Sequence, residues 1–121
     1  MSILEELNTL FSSADIPVET GVFSDIAPTQ YAVLIPLADT FDLHSDNRPG
    51  IEIQEVRISL FTKNNYTSLK NKICRLLMEN DFTITDRRYN GYETDTGYHH
   101  YTIDVSKFYE TEEIYYGDNR S

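Results

Sequence analysis

Residues 51–82, IEIQEVRISLFTKNNYTSLKNKICRLLMENDF, decide the fold of this chain. Val56, Ile58 and Leu60 alternate with Arg57, Ser59 and Phe61, the period of two that turns one face of a β-strand inward. After Lys63 the period changes. Tyr66, Leu69, Ile73, Leu76 and Leu77 recur at helical spacing, with Lys70, Asn71 and Lys72 mostly off that stripe. Asn64-Asn65 supplies cap candidates for a helix over 66–79, and Asn80-Asp81 supplies a stop. Ile51 and Ile53 fall on the opposite parity from Val56. A bulge near Gln54-Glu55, or a strand start buried on both sides, reconciles them.

Upstream, Ser2 and Glu5 have capping-box spacing, and Ile3, Leu4, Leu7, Leu10 and Phe11 form one apolar helical stripe. That helix should end near Ser13, because the residue before Pro17 avoids helical angles. Residues 18–23 read as a short strand interrupted by Gly21. The run 31–37, YAVLIPL, reads as a strand covered on both faces, or as an edge strand where Pro36 enters. Residues 38–50 are polar, carry Pro49-Gly50, and are expected to form an exposed loop.

Downstream, 82–89 and 98–108 read as two strands, with the turn dipeptide Asn90-Gly91 and a second turn signal at Asp95-Thr96-Gly97 between them. The expected fold is α+β: an antiparallel sheet of about four to five strands with two helices packed on one face. Residues 1–108 form a single domain in this reading. Residues 109–121 are an acidic, tyrosine-rich C-terminal tail with no core pattern, expected to be mobile in the isolated subunit.

The composition fits one small core. Of 121 residues 40% are apolar and 12% aromatic, enough for a domain of this size without a disulfide or metal staple. Cys74 is the single cysteine, so no internal disulfide can form, and a reducing compartment is expected. The longest apolar run is far too short to cross a bilayer, so no membrane partner is expected. Twenty acidic residues against ten basic ones give a formal charge of −10. Nucleic-acid affinity comes mostly from neutralising phosphates, so direct nucleic-acid binding is not expected either.

Chemistry-bearing residues are few. His99-His100 with Glu93 and Asp95 invites a metal reading, but neighbours on a strand diverge to opposite faces, and zinc needs converging ligands. His44 lies in the polar loop. Asp39, Asp42 and Asp46 lack the alternate-position ligands and central glycine of a calcium loop. Cys74 lies beside an apolar stripe with no local base to make it a nucleophile. Asn65-Tyr66-Thr67 matches a glycosylation acceptor formally. The expectation is therefore no enzyme, no metal and no cofactor. Seven of the nine tyrosines lie between Tyr89 and Tyr116, and tyrosine is enriched in protein interfaces. Tyr109, Ile114, Tyr115 and Tyr116 in the tail, with Asp42 and Asp46 in the loop, are the candidate interface residues.

The order of elements resembles the small tail-completion or tail-terminator (head-tail joining) proteins of long-tailed bacteriophages and prophages. The resemblance covers about residues 1–108. It rests on the N-terminal amphipathic helix, Pro28-Thr29-Gln30-Tyr31-Ala32-Val33, the loop with Asp46-Asn47, Glu55-Val56-Arg57-Ile58-Ser59-Leu60-Phe61-Thr62-Lys63, the second helix with Phe82, and a hairpin carrying Tyr92-Glu93 and Gly97-Tyr98-His99-His100-Tyr101. It implies a non-enzymatic virion structural protein, made in the bacterial host cytoplasm and placed in the tail or neck. It also implies a ring oligomer, often a hexamer, at the head-proximal end of the tail tube, contacting the tail tube protein and the head-tail connector protein. The composition leaves two other readings: an acidic protein-binding or inhibitor (DNA-mimic) module, and a small hydrolase whose acid-base groups meet only in the fold.

Overall fold

The computed structural model describes residues 2–19, 28–41 and 51–110. Helix α1 spans Ile3–Ser13. Its capping box forms as the spacing predicts: the Ser2 hydroxyl accepts from the Glu5 amide, and the Ser2 amide donates to Glu5 Oε1 at 3.0 Å. Asp15 turns the chain with φ of 60°, and the Ile16 amide returns to the Phe11 carbonyl, which ends the helix before Pro17. Helix α2 spans Tyr66–Glu79 and is capped by Asn65, whose side chain accepts from the Thr67 and Ser68 amides. That use of the Asn65 amide group gives the formal glycosylation acceptor a structural role.

Five strands follow the order β1 (Val18–Glu19), β2 (Gln30–Phe41), β3 (Ile51–Thr62), β4 (Thr83–Glu93) and β5 (Tyr98–Glu110). In the sheet they lie β1-β2-β3-β5-β4. The pairs β2·β3, β3·β5 and β4·β5 are antiparallel, but β1 runs parallel to β2. The sheet is mixed, which corrects the all-antiparallel expectation. That expectation treated consecutive strands as hairpins. Residues 20–29 between β1 and β2 are long enough to return the chain to the same end of the sheet, and a two-residue strand carries no signal of direction. Strands β3 and β4 also share a direction, since both are antiparallel to β5, and α2 is the crossover between them.

Three local expectations are also revised. The bulge near Gln54 is not in β3, which pairs with β5 without interruption; it lies on the partner strand, between Pro36 and Ala38 of β2. Beyond Val33, β1 no longer pairs with β2, so Pro36, which has no N–H, sits where no outer partner needs one. Residues 38–41 belong to β2 and not to a loop. Asn90-Gly91 is a bulge inside β4, with Gly91 at φ of 126°, while the turn between β4 and β5 falls at 94–97, closed by the Gly97 amide on the Glu93 carbonyl at 2.7 Å.

Both helices pack on one face of the sheet. Leu7 and Phe11 of α1, Ile73 and Leu77 of α2, and Val56, Ile58, Leu60, Ile103 and Val105 of the strands form one buried cluster. Leu69 is buried as its spacing predicts, whereas Leu76 is only partly buried at the cluster's margin. Strand β5 continues through Glu110, past the expected domain boundary at 108. Residues 111–121, assigned to the tail, lie outside the described residues.

Candidate interaction surface

With both helices on one side, the other face of the sheet has no element over it among the described residues. Odd positions of β3 and even positions of β5 point there. An aromatic row runs across the strands: Tyr31 stacks on Phe61 at 4.9 Å, and Phe61 stacks on His100 at 4.4 Å and 8°. Tyr98 meets Tyr31 and Phe61 edge-on, and its hydroxyl donates to the Pro28 carbonyl at 2.6 Å. Beside this row the Arg57 guanidinium makes two hydrogen bonds to Asp104, at 2.9 and 3.1 Å. The pair holds Arg57 above its ordinary pKa, chiefly through that hydrogen bond. Arg88 pairs with Asp86 at 3.2 Å.

Between Ile35, Arg57, Arg88 and His100 lies a shallow depression of about 450 Å³, floored by Ser59 and Thr102. Asn90 Nδ2 donates to Thr102 Oγ1 at 3.2 Å. The Nε2 atom of His100 is buried here with no hydrogen-bond partner among the described residues. Burial pushes His100 below its ordinary pKa, and the carboxylate of Glu93 acts in the opposite sense. Toward one end of the face, where β2 and β5 finish and β3 begins, Ile35, Ile51 and Phe108 are exposed, Phe108 by 64%. The cations of the face are already matched by carboxylates, so its free capacity is apolar and aromatic area with Arg and Tyr at hand. That mixture is the composition of an interface core.

The helix-side end of the β4–β5 hairpin forms a second cluster. Tyr66 of α2 stacks on Tyr89 at 4.6 Å, and Tyr89 Oη is 2.9 Å from His99 Nδ1. Tyr92 lies against His99 at 4.9 Å. Lys70 Nζ sits 5.9 Å over the Tyr101 ring, and Arg87 Nη1 is 3.9 Å from the buried Cys74 Sγ.

The sequence-predicted residues fall unevenly on this map. His99 and His100 diverge as strand alternation requires, His99 among the tyrosines on the helix side and His100 onto Phe61 on the open side. Among the described residues no three His, Cys, Asp or Glu side chains are grouped so that they could hold a metal ion. Cys74 is fully packed in the core cluster. Asp39 is exposed on β2. Tyr109 belongs to β5 and is half-buried on the helix side, where its hydroxyl donates to Glu6 Oε1 at 2.7 Å. Burial, then the Glu6 carboxylate, raises its pKa well above the ordinary phenol value. Lys107 beside it reaches Glu6 Oε2 and donates to the Asn80 carbonyl at 2.9 Å. The structure therefore makes Tyr109 part of a clasp between β5 and α1 and not part of a tail. Asp42, Asp46, Ile114, Tyr115 and Tyr116 lie outside the described residues. The open-face residues Ile35, Ile51 and Phe108 were not singled out as interface candidates, though Ile51 carried a signal: it had the wrong parity for the core.

Among the described residues no helix is long and apolar enough to cross a membrane. No protein-family model matches the chain, and no curated protein matches its sequence.

Proposed function

We propose that this chain is a non-catalytic structural subunit of a phage or prophage tail, completing or terminating the tail tube or joining it to the head. In this role it assembles as a ring at the head-proximal end of the tube, against the tube and connector proteins. The observation that carries the reading is the open sheet face with Ile35, Ile51 and Phe108 exposed beside stacked aromatics. An apolar face of this kind on a small subunit is conserved free energy for association, because water is released when a partner covers it. The resemblance in element order supports the same role.

The test is electron microscopy of the purified chain mixed with tail-tube protein, read as capped or length-limited tubes. Ile35→Asp and Phe108→Asp place carboxylates on the exposed face without touching the core. Both are expected to abolish capping while leaving the melting temperature within about 2 °C, since surface substitutions usually cost under about 0.5 kcal/mol. Capping that survives both changes removes the open face from the reading. Tubes that never respond to the wild-type chain end the reading itself.

A further inference from the structure

Charge is divided across the sheet. Helix α1 and strands β1 and β2 lie toward one edge, while α2 and β4 lie toward the other. Among the described residues, α1, β1, β2 and the turn between α1 and β1 carry Glu5, Glu6, Asp15, Glu19 and Asp39, and no lysine, arginine or histidine. Helix α2 carries Lys70, Lys72 and Arg75 against Glu79 alone, and Arg87 adds a cation from the helix-facing side of β4. Neither set is neutralised within the chain. Asp15, Glu19 and Asp39 have no ion pair among the described residues, and neither do Lys70, Arg75 and Arg87. Around the basic set lie exposed apolar groups: Tyr89, Tyr92 at 54% and Met78 at 61%.

We propose that the α2–β4 edge of one copy receives the α1–β1 edge of a second copy, so that the chain associates with itself head to tail. The inference rests on the assembly role proposed above and names the surfaces that would perform it. A second copy fits better than an unrelated acidic protein because the complementary charge is carried by the same chain, on the opposite edge of the same sheet. Like edges brought together would set Arg75 and Arg87 against their own copies, which is repulsive. Unlike edges set them against Glu19 and Asp39. A contact between two different patches leaves one of each unused at the ends of every oligomer, so it propagates until a ring closes or a filament grows. Tyr89, Tyr92 and Met78 supply the contact area, and the charges set the register and speed the encounter.

The experiment is sedimentation velocity on the full chain at roughly 50 mM and roughly 500 mM salt, where exposed charges are progressively screened. Two variants are compared: Arg75→Glu with Arg87→Glu, and Glu19→Lys with Asp39→Lys. Arg75→Glu alone, at a fully exposed helix position, serves if the Arg87 change disturbs Cys74, and circular dichroism reports folding. The wild type is expected to be oligomeric at low salt, with its dissociation constant rising at least tenfold at high salt. Each double variant is expected to be monomeric, and the two mixed in equal amounts are expected to associate again, because the swapped charges now oppose each other. A monomeric wild type, oligomers indifferent to either variant, or a mixture that stays monomeric each overturns the proposal. A monomeric chain that loses tube binding on Arg75→Glu assigns the patch to a different acidic protein, which also overturns it. Tube capping, read separately, keeps the two ideas apart: a monomer that still caps tubes sinks the self-contact alone, whereas a salt-sensitive oligomer that ignores tubes sinks the tail role alone.

Discussion

His100 lies flat on Phe61 with Nε2 buried and unpartnered, and its pKa is lowered from the ordinary value of 6.5 by burial. The folded chain therefore holds His100 neutral at a pH where the unfolded chain begins to protonate it. Stability from this residue is fully present above about pH 6.5 and declines as the pH falls toward the lowered folded value. His100→Gln removes the titration, so the loss of urea midpoint between about pH 7.5 and about pH 5.5 should be smaller in the variant than in the wild type. Equal losses would show that the histidine is solvated. Tyr109 works in the other direction. Its neutral phenol donates to Glu6, and its raised pKa means the contribution is present below about pH 10 and is lost as the pH rises through the folded value. Tyr109→Phe keeps the ring and deletes the donor. The expected cost is on the order of 1 kcal/mol, held down by the partial exposure of the pair, measured as a shift in denaturant midpoint with unchanged slope.

At the scale of elements, strand β3 and helix α2 carry the core between them. Ile58 is wholly buried against both helices' layer, while Leu76 sits at its margin. Ile58→Ala should cost about 2–5 kcal/mol, the range for a buried aliphatic side chain that leaves a cavity. Leu76→Ala should cost clearly less, and chemical denaturation of the pair reads the difference. Equal costs would mean the α2 margin is packed as tightly as its centre. The alternation that places Ile58 inward also places Arg57, Ser59 and Phe61 outward, so the pattern that builds the core builds the open face as well. Its charged pair, Arg57 with Asp104, joins the two central strands β3 and β5.

For the molecule as a whole, the clasp of Glu6, Lys107 and Tyr109 fastens the last strand to the first helix. Two truncations separate that clasp from the residues beyond it. Removing residues 111–121 leaves the clasp intact and should change the melting temperature by less than about 2 °C, whereas removing 109–121 deletes Tyr109 and should lower it by about 4 °C or more. Calorimetry of the two forms decides the point. Equal melting temperatures would mean that Tyr109 contributes nothing beyond solubility, and a large drop in the shorter truncation would bring residues 111–121 into the core.

How much of this was legible beforehand depends on the range of the interaction concerned. Both helices and their caps were readable because capping box, Asn65 cap and apolar stripe act over three or four residues. The divergence of His99 and His100, and the inward face of β3, followed from strand alternation, which is equally local. The direction of β1, the bulge at Leu37 and the conversion of Asn90-Gly91 from turn to bulge were not legible, because each depends on which strand lies alongside. Tyr109 shows the same limit at one residue: in sequence it stands in an acidic tyrosine-rich run, and only Glu6, over a hundred positions away in the chain, makes it structural. The sequence by itself determined two amphipathic helices, the strands around them and a chain with a large acidic excess, since period, caps and charge are properties of neighbouring residues. Only the tertiary structure decided that the sheet is mixed, that one of its faces is left open with Ile35 and Phe108 upon it, and that acidic and basic residues part to opposite edges, because strand order is fixed by contacts between residues distant in the chain.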